Sequence, residues 1–559
     1  MNADKSDGQH SPPNLLQETI TRVGLLFRLE QRVLALLVSY ALAVGLFSLI
    51  VPLTVQELVN TFAFAIQPIM IVTLAAIIAL TLLFVGAFKT LQFYAVEILE
   101  RRIFARIALG LSQQLPRFRE EAFLPKYANY FMETTLMQRA LSSMLIEIIN
   151  VVIGGIVGMS ILVFYHPYFL VYNFVLLGGF GVVVVMLSHG GLRATIEMSH
   201  AKYETLNWMQ EITNNLPHFK STVSGPLLLK KTDDLVQAYI EARKSRFNVL
   251  LRQFLGSVGW QAVGHGGLIA TAGWLLAIGQ LTLGQFVAAE AIVSGILVSF
   301  DAVVKRMSYV FYFFTSLTEL GYLFSLPKDT TSHKLSVSLP DPAIHGVRVS
   351  CKDLSFTYPG APAPAFQGFN LELTPGEKVA IFSSTSTGKT MLARTLAGLF
   401  PPTSGVLRYN GVDVRDLDIN SLNACRSLVL DSQLSLFEGT LEENITLGRA
   451  SVPYSDVLWA LRFVEMEEEV DALPLGLMTQ VKARGKAFTT SEILRLLVAR
   501  AIVIRPQLLI LDGTLHSMQP TMRETILRRL CSKEEPWSVI FVSNDPALQV
   551  HVDRRLMLD

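Results

Sequence analysis

The residues of this sequence best suited to chemistry lie in Val379-Ala380-Ile381-Phe382-Ser383-Ser384-Thr385-Ser386-Thr387-Gly388-Lys389-Thr390. An apolar strand runs into a loop of small residues, and a helical run follows from Met391. The spacing is that of a P-loop, G-x-x-x-x-G-K-[ST], in which backbone N–H groups at a helix N-terminus surround phosphate oxygens. Gly388, Lys389 and Thr390 fit it, whereas Ser383 stands at the first glycine position. In such a loop Ser386, Thr387 and Gly388 line the phosphates, Lys389 reaches the terminal ones and the Thr390 hydroxyl sits on Mg²⁺. Serine at 383 and 386 leaves the backbone less free to take positive φ than glycine would. Downstream, Gln507-Leu508-Leu509-Ile510-Leu511-Asp512 is an apolar strand ending in an acid. This is the Walker-B pattern, which sets the Asp512 carboxylate beside Thr390 to help hold the metal.

The elements that must position these residues belong to a C-terminal α/β region. From Val347 onward strands and helices alternate in the manner of a parallel sheet. Val347–Ser355, Phe369–Leu373, Val379–Phe382, Gln507–Asp512 and Ser538–Val542 read as strands. Residues 328–345 are polar and contain proline, as a linker does. The rest of the chain is of another kind. Of its 559 residues 51% are hydrophobic and only 17% charged. Soluble domains carry about 25% charged residues, so much of this chain belongs in a membrane. Six apolar spans are expected, at 33–56, 68–92, 142–164, 168–188, 257–279 and 284–304, each near the ~20 residues that cross a bilayer. The short links between them carry no Lys or Arg, whereas the long links 93–141 and 189–256 are rich in both. That bias places both termini and both long links in the cytoplasm. The long links have helical periodicity, as helices that leave the membrane and turn back near 124–133 and 214–231.

The domain plan is therefore a cytosolic N-terminal segment 1–31, a transmembrane domain 32–327, the linker 328–345 and a nucleotide-binding domain 346–559. Residues 1–31 have no apolar run behind a basic start, so no cleavable signal peptide is expected. A net charge of +1 points to no nucleic-acid partner. Cys351, Cys425 and Cys531 have no metal-ligand spacing and suit a reducing cytosol. Within the spans, Glu147, His265 and Glu290 are ionisable and so are candidates for a substrate path or for a solvated cavity.

These motifs together resemble a type I ABC exporter half-transporter, six membrane helices fused to one nucleotide-binding domain. Further segments carry the resemblance. Phe356-Thr357-Tyr358-Pro359-Gly360 is similar to the A-loop, whose aromatic ring stacks on adenine, with Tyr358 in that role. Leu436-Phe437-Glu438-Gly439-Thr440-Leu441-Glu442-Glu443-Asn444-Ile445 matches the LFxGTxxENI segment, and Thr282-Leu283-Gly284-Gln285-Phe286 resembles the start of the sixth helix. The resemblance implies ATP and Mg²⁺ as cofactors and an inner or plasma membrane location. It implies a second half-transporter as partner, in a homodimer or heterodimer. The bacterial toxin and peptide secretion branch is the nearest in look, which would add a periplasmic adaptor.

The departures fall on catalysis. The family has a glutamate after the Walker-B aspartate; here it is Gly513, which can accept no proton. Asn544 stands at the switch-histidine position and Ser432 at the Q-loop glutamine. The LSGGQ signature falls on Phe488-Thr489-Thr490-Ser491-Glu492, and the D-loop on His516-Ser517-Met518-Gln519. The helices usual after the last strand are expected to be short or missing. No catalytic residue of the family is intact, while Tyr358, Lys389, Thr390 and Asp512 remain to bind nucleotide and metal. Three functions stay open: an exporter subunit that binds ATP and hydrolyses it poorly, a non-transporting regulatory or scaffold protein, and an active exporter in which other residues substitute.

Overall fold

The computed structural model describes residues 28, 30–62, 68–118, 125–221, 225–328, 346–358, 360–383, 388–482, 485, 487–513, 515 and 518–558. The chain divides into two compact units, Met1–Pro327 and Lys328–Asp559. The expected linker 328–345 lies, except for Lys328, outside the described residues.

The first unit is all helical. Its helices are α1 (Gln31–Ser48), α2 (Ile50–Phe62), α3 (Pro68–Gln114), α4 (Glu133–Tyr165), α5 (Tyr168–Gly181), α6 (Gly191–Asn214), α7 (Leu216–Ser221), α8 (Gly225–Ala277), α9 (Leu283–Lys305) and α10 (Met307–Ser325). The first expected span is broken at Leu49, between α1 and α2. Pro52 explains the break, since its ring conflicts with the carbonyl of residue 48 in a continuous helix. At 47 residues α3 is about 70 Å long, and at 53 residues α8 is about 80 Å. Both exceed the ~30 Å of hydrocarbon more than twofold, so the long links do continue the helices. The turns expected near 124–133 and 214–231 fall on a 3₁₀ segment Pro125–Met132 and on α7.

Among the described residues, five helical stretches are long and apolar enough to cross a membrane, at Gln31–Thr61, Pro68–Arg117, Tyr127–Tyr165, Tyr168–Asn214 and Leu283–Ser325. The sixth expected span, 257–279, lies almost wholly in α8 and falls short on composition. Gln261, His265 and several glycines dilute its Val, Leu and Ile content. Gly264 there lets the helices approach closely, since a Cβ would press on Leu297 and Leu176. Of the ionisable residues in the spans, Glu147 is ion-paired with Arg306. Glu290 is exposed and accepts a hydrogen bond from Ser294 Oγ at 2.7 Å.

The second unit contains a parallel five-stranded sheet and an antiparallel four-stranded one. Its strands are β1 (Val349–Phe356), β2 (Phe366–Leu373), β3 (Lys378–Ser383), β4 (Ser404–Tyr409), β5 (Val412–Asp413), β6 (Arg426–Leu430), β7 (Gly439–Thr440), β8 (Gln480–Val481), β9 (Leu508–Asp512), β10 (Ser538–Val542) and β11 (Arg554–Leu558). The parallel sheet runs β11-β3-β10-β9-β6 and the antiparallel one β2-β1-β4-β5. Strands β9 and β10 are buried at every residue, as continuous apolar runs in a covered parallel sheet should be. Four helices matter below: α11 (Lys389–Leu396), α12 (Leu441–Thr446), α13 (Thr490–Ile502) and α14 (Pro520–Leu530). One core holds β3, β9, β10, α11 and the antiparallel strands together. The other packs α13 and α14 on the opposite side of the sheet. Lys378 is buried inside the unit, where its ammonium donates to the carbonyls of Gly376, Glu535 and Trp537 at 3.0, 3.0 and 2.6 Å. Burial lowers its pKa.

Candidate functional site

In a parallel α/β sheet, ligands bind at the carboxyl ends of the strands. Here that edge gathers four segments. Strand β3 leads to Gly388, Lys389 and Thr390, β9 ends in Asp512, β10 is followed by Ser543 and Asn544, and β6 by Asp431. The registers align these ends, with Val542 opposite both Ile381 and Asp512, and Leu430 also opposite Asp512.

Gly388 opens α11 with φ +93, a left-handed conformation that favours glycine. A Cβ there would overlap the Ala365 carbonyl oxygen. That contact sets the end of the loop against the start of β2. Ala365 N–H in turn donates to Phe356 O at 2.8 Å, so the turn carrying Tyr358 folds back on the same place. The Tyr358 ring is exposed and stands edge-on to Phe356, with centroids 5.3 Å apart. Ser386 and Thr387 lie outside the described residues.

Thr390 stands beside the Asp512 carboxylate and favours its charged form; Asp512 is only 4% exposed. The hydroxyl and carboxylate expected on the metal are therefore together, with Lys389 next in chain, and this oxygen set suits Mg²⁺. Burial pushes the Asp512 carboxyl above its ordinary range, and the charge of nearby Asp431 adds to this. Thr390, Arg394 and Lys389 act in the opposite sense.

Three departures from the family pattern have structural partners that spacing along the chain does not reveal. Asn544 Oδ1 accepts from Ser383 N–H at 3.0 Å, and its Nδ2 donates to Ser383 O at 2.8 Å. Two exchanged residues, at the first glycine and at the switch position, thus clamp each other. Gly513 has φ +63 and donates its N–H to Val542 O at 2.9 Å. Glu492, at the last signature position, joins Thr489 in a capping box at the start of α13. Its Oε2 accepts from Thr489 N–H at 2.6 Å, and Thr489 Oγ1 accepts from Glu492 N–H at 3.3 Å. Ser432 and Gln433 lie in a 3₁₀ turn after β6. Of the D-loop positions, His516 and Ser517 lie outside the described residues.

Residues 366–516 match the ABC transporter family. The fold is similar to that of a bacterial Atm1-family ABC exporter with ATP bound. The TM-score is 0.81 over 95% of this chain and 94% of that one, at 18% identity. Residues 366–516 are of the ABC transporter family, and they follow a helical unit in a chain with the fold of an ABC exporter. Among relatives of this chain is the probable multidrug resistance transporter YheI of Bacillus subtilis, 24% identical over 52% of this chain and 51% of that protein. The ATP-dependent lipid A-core flippase of Chromobacterium violaceum is 36% identical over 31% of this chain and 29% of its own length. The probable microcin-H47 secretion/processing protein MchF of Escherichia coli is 30% identical over 37% and 29%. The alignments thus span about half or less of these relatives' lengths.

Proposed function

We propose that this chain is an exporter subunit that binds MgATP and couples binding to the movement of a substrate across a membrane, with slow hydrolysis of its own. The observation that carries this reading is the placement of Thr390 beside Asp512 at the carboxyl edge of the sheet, with Lys389 next in chain. In this reading Tyr358 stacks on adenine, Ser386, Thr387 and Gly388 with Lys389 take the phosphates, and Thr390 with Asp512 take Mg²⁺. The metal supplies charge neutralisation at the phosphates when bound. The domain limits 32–327, 328–345 and 346–559, a multi-pass inner or plasma membrane location and cytoplasmic termini belong to the same proposal.

The partner we propose is a second half-transporter, the same chain or a related one, because family members place each ATP between two such domains. ATP would then stabilise the closed pair and bias the helices between two states. The relatives carry names as different as multidrug resistance, lipid A-core flippase and microcin secretion, so no substrate and no adaptor is proposed. Nor does any observation favour a non-transporting scaffold. Hydrolysis should be slow because Asn544 and Glu492 stand at the switch-histidine and last signature positions, and Gly513 carries no carboxylate of its own.

The test is a nucleotide titration of the purified full chain. MgATP is expected to bind at up to millimolar concentrations, and Lys389→Ala to weaken it at least tenfold. No binding by the parent chain at millimolar MgATP would overturn the proposal.

A further inference from the structure

Gly513 occupies the place of the family's water-activating glutamate, yet the space its side chain would enter holds a carboxylate. Asp431 directly follows β6, whose last residue Leu430 is paired with Asp512. Asp431 therefore leaves the sheet one step beyond Asp512, level with Gly513. A Cβ placed on Gly513 would lie 3.5 Å from Asp431 Oδ2. A glutamate carries its own carboxylate oxygens about 3–4 Å from its Cβ, given carbon–carbon bonds of ~1.5 Å. The neighbouring strand thus brings a carboxylate oxygen to about the reach of the missing side chain. Asp431 is exposed, so water reaches it, and its charge is felt at Asp512. The backbone fits the exchange. With φ +63 at residue 513, a glutamate there would be strained and would meet the Asp431 carboxylate at once.

We infer that Asp431 is the water-activating carboxylate of this nucleotide site, supplied from the end of β6 in place of a residue at 513. The inference rests on the MgATP-binding reading above. Asp431 accepts a proton from a water molecule whose oxygen bonds to the γ-phosphorus. The bond from that phosphorus to the β–γ bridging oxygen breaks, its electron pair leaves with ADP, and inorganic phosphate is the second product. Asp431 acts here as a base, and Asp512 and Thr390 keep their roles toward the metal.

The experiment uses the purified full chain in lipid nanodiscs and follows both phosphate release from γ-labelled MgATP and MgATP affinity. The parent is expected to release phosphate slowly but above the Lys389→Ala background. Asp431→Asn should cut release about 10²–10⁴-fold, to that background, with MgATP affinity unchanged. Asp431→Glu, which keeps the carboxylate, should retain a measurable rate. An undiminished rate in Asp431→Asn would overturn the inference. So would loss of MgATP affinity in that variant, which would assign Asp431 to binding, and so would a parent rate no higher than the Lys389→Ala background. Failure of the binding reading is distinguishable, because it shows as absent MgATP affinity in the parent itself.

Discussion

Asp512 joins binding to stability at a single carboxyl group. Its burial and the nearby Asp431 charge raise its pKa above the ordinary value. The folded chain therefore holds this proton more tightly than the unfolded chain does. Above the raised folded value, where both states are ionised, the buried charge lowers the stability of the nucleotide-free protein. As the pH falls through the raised folded value towards the ordinary one, the folded state takes up the proton first and stability is gained. Asp512→Asn removes this linkage. Without nucleotide it should melt above the parent at pH 7.5, and the gap should close on acidification. A gap that stays constant or widens at low pH would contradict the burial argument. Lys389, Thr390 and Asp512 stand out in the sequence because each motif is a local pattern along the chain. Asp431 does not, and neither does the Ser383–Asn544 clamp. Both depend on which strands lie side by side, and spacing along one strand carries no information about its neighbour.

At the scale of the element, α13 shows how an exchanged signature is reused. The family's signature supplies free backbone N–H groups to a nucleotide at a helix N-terminus. Here Thr489 and Glu492 satisfy each other's N–H groups, and the Glu492 carboxylate also complements the positive end of the helix. Glu492→Ala should therefore destabilise the second unit. Loss of a cap costs about 0.5–2 kcal/mol, and in a unit of this size each kcal/mol shifts melting by about 2–4 °C. Thr489→Ala should cost a similar amount, and the double variant less than the sum, since the two residues act together. Additive losses would show that they act separately. The Thr-x-x-Glu spacing of this box is present in the sequence, at the positions that align with the LSGGQ signature. The five strands read from the sequence recur with shifts of up to three residues at the ends, because apolar runs such as Leu508–Leu511 admit few other readings, whereas β4, β6 and β11 carry no such run and were not legible. The break at Leu49 was missed because the apolar run continues unbroken past Pro52, and hydropathy does not register a missing N–H.

For the molecule as a whole, the helices must move as bodies if binding is to drive transport, and Glu133 shows one way in which they are tied. It opens α4 and is 1% exposed. Its Oε1 accepts from Lys202 Nζ at 2.6 Å and from Tyr203 Oη at 2.7 Å, both on α6. Its Oε2 accepts from Ser316 Oγ on α10 at 2.5 Å. Three helices distant in sequence thus converge on one carboxylate, roughly 14 Å before the expected span that starts at residue 142. No feature of the sequence pointed to this network, because Glu133 precedes the apolar run and reads as an ordinary helix start. A buried charge that is fully hydrogen-bonded contributes modestly, but removing it strands its partners. Lys202 is partly exposed and finds water, so the cost falls on Tyr203 and Ser316 and is about 2–4 kcal/mol. Glu133→Ala should lower the melting temperature of the full chain in detergent by several degrees. Glu133→Gln, which keeps an acceptor, should lower it less, and exposed Glu290→Gln should leave it unchanged. Equal melting of Glu133→Ala and the parent would show that these helices are held together by apolar packing alone, and that the carboxylate does not bind them into one body.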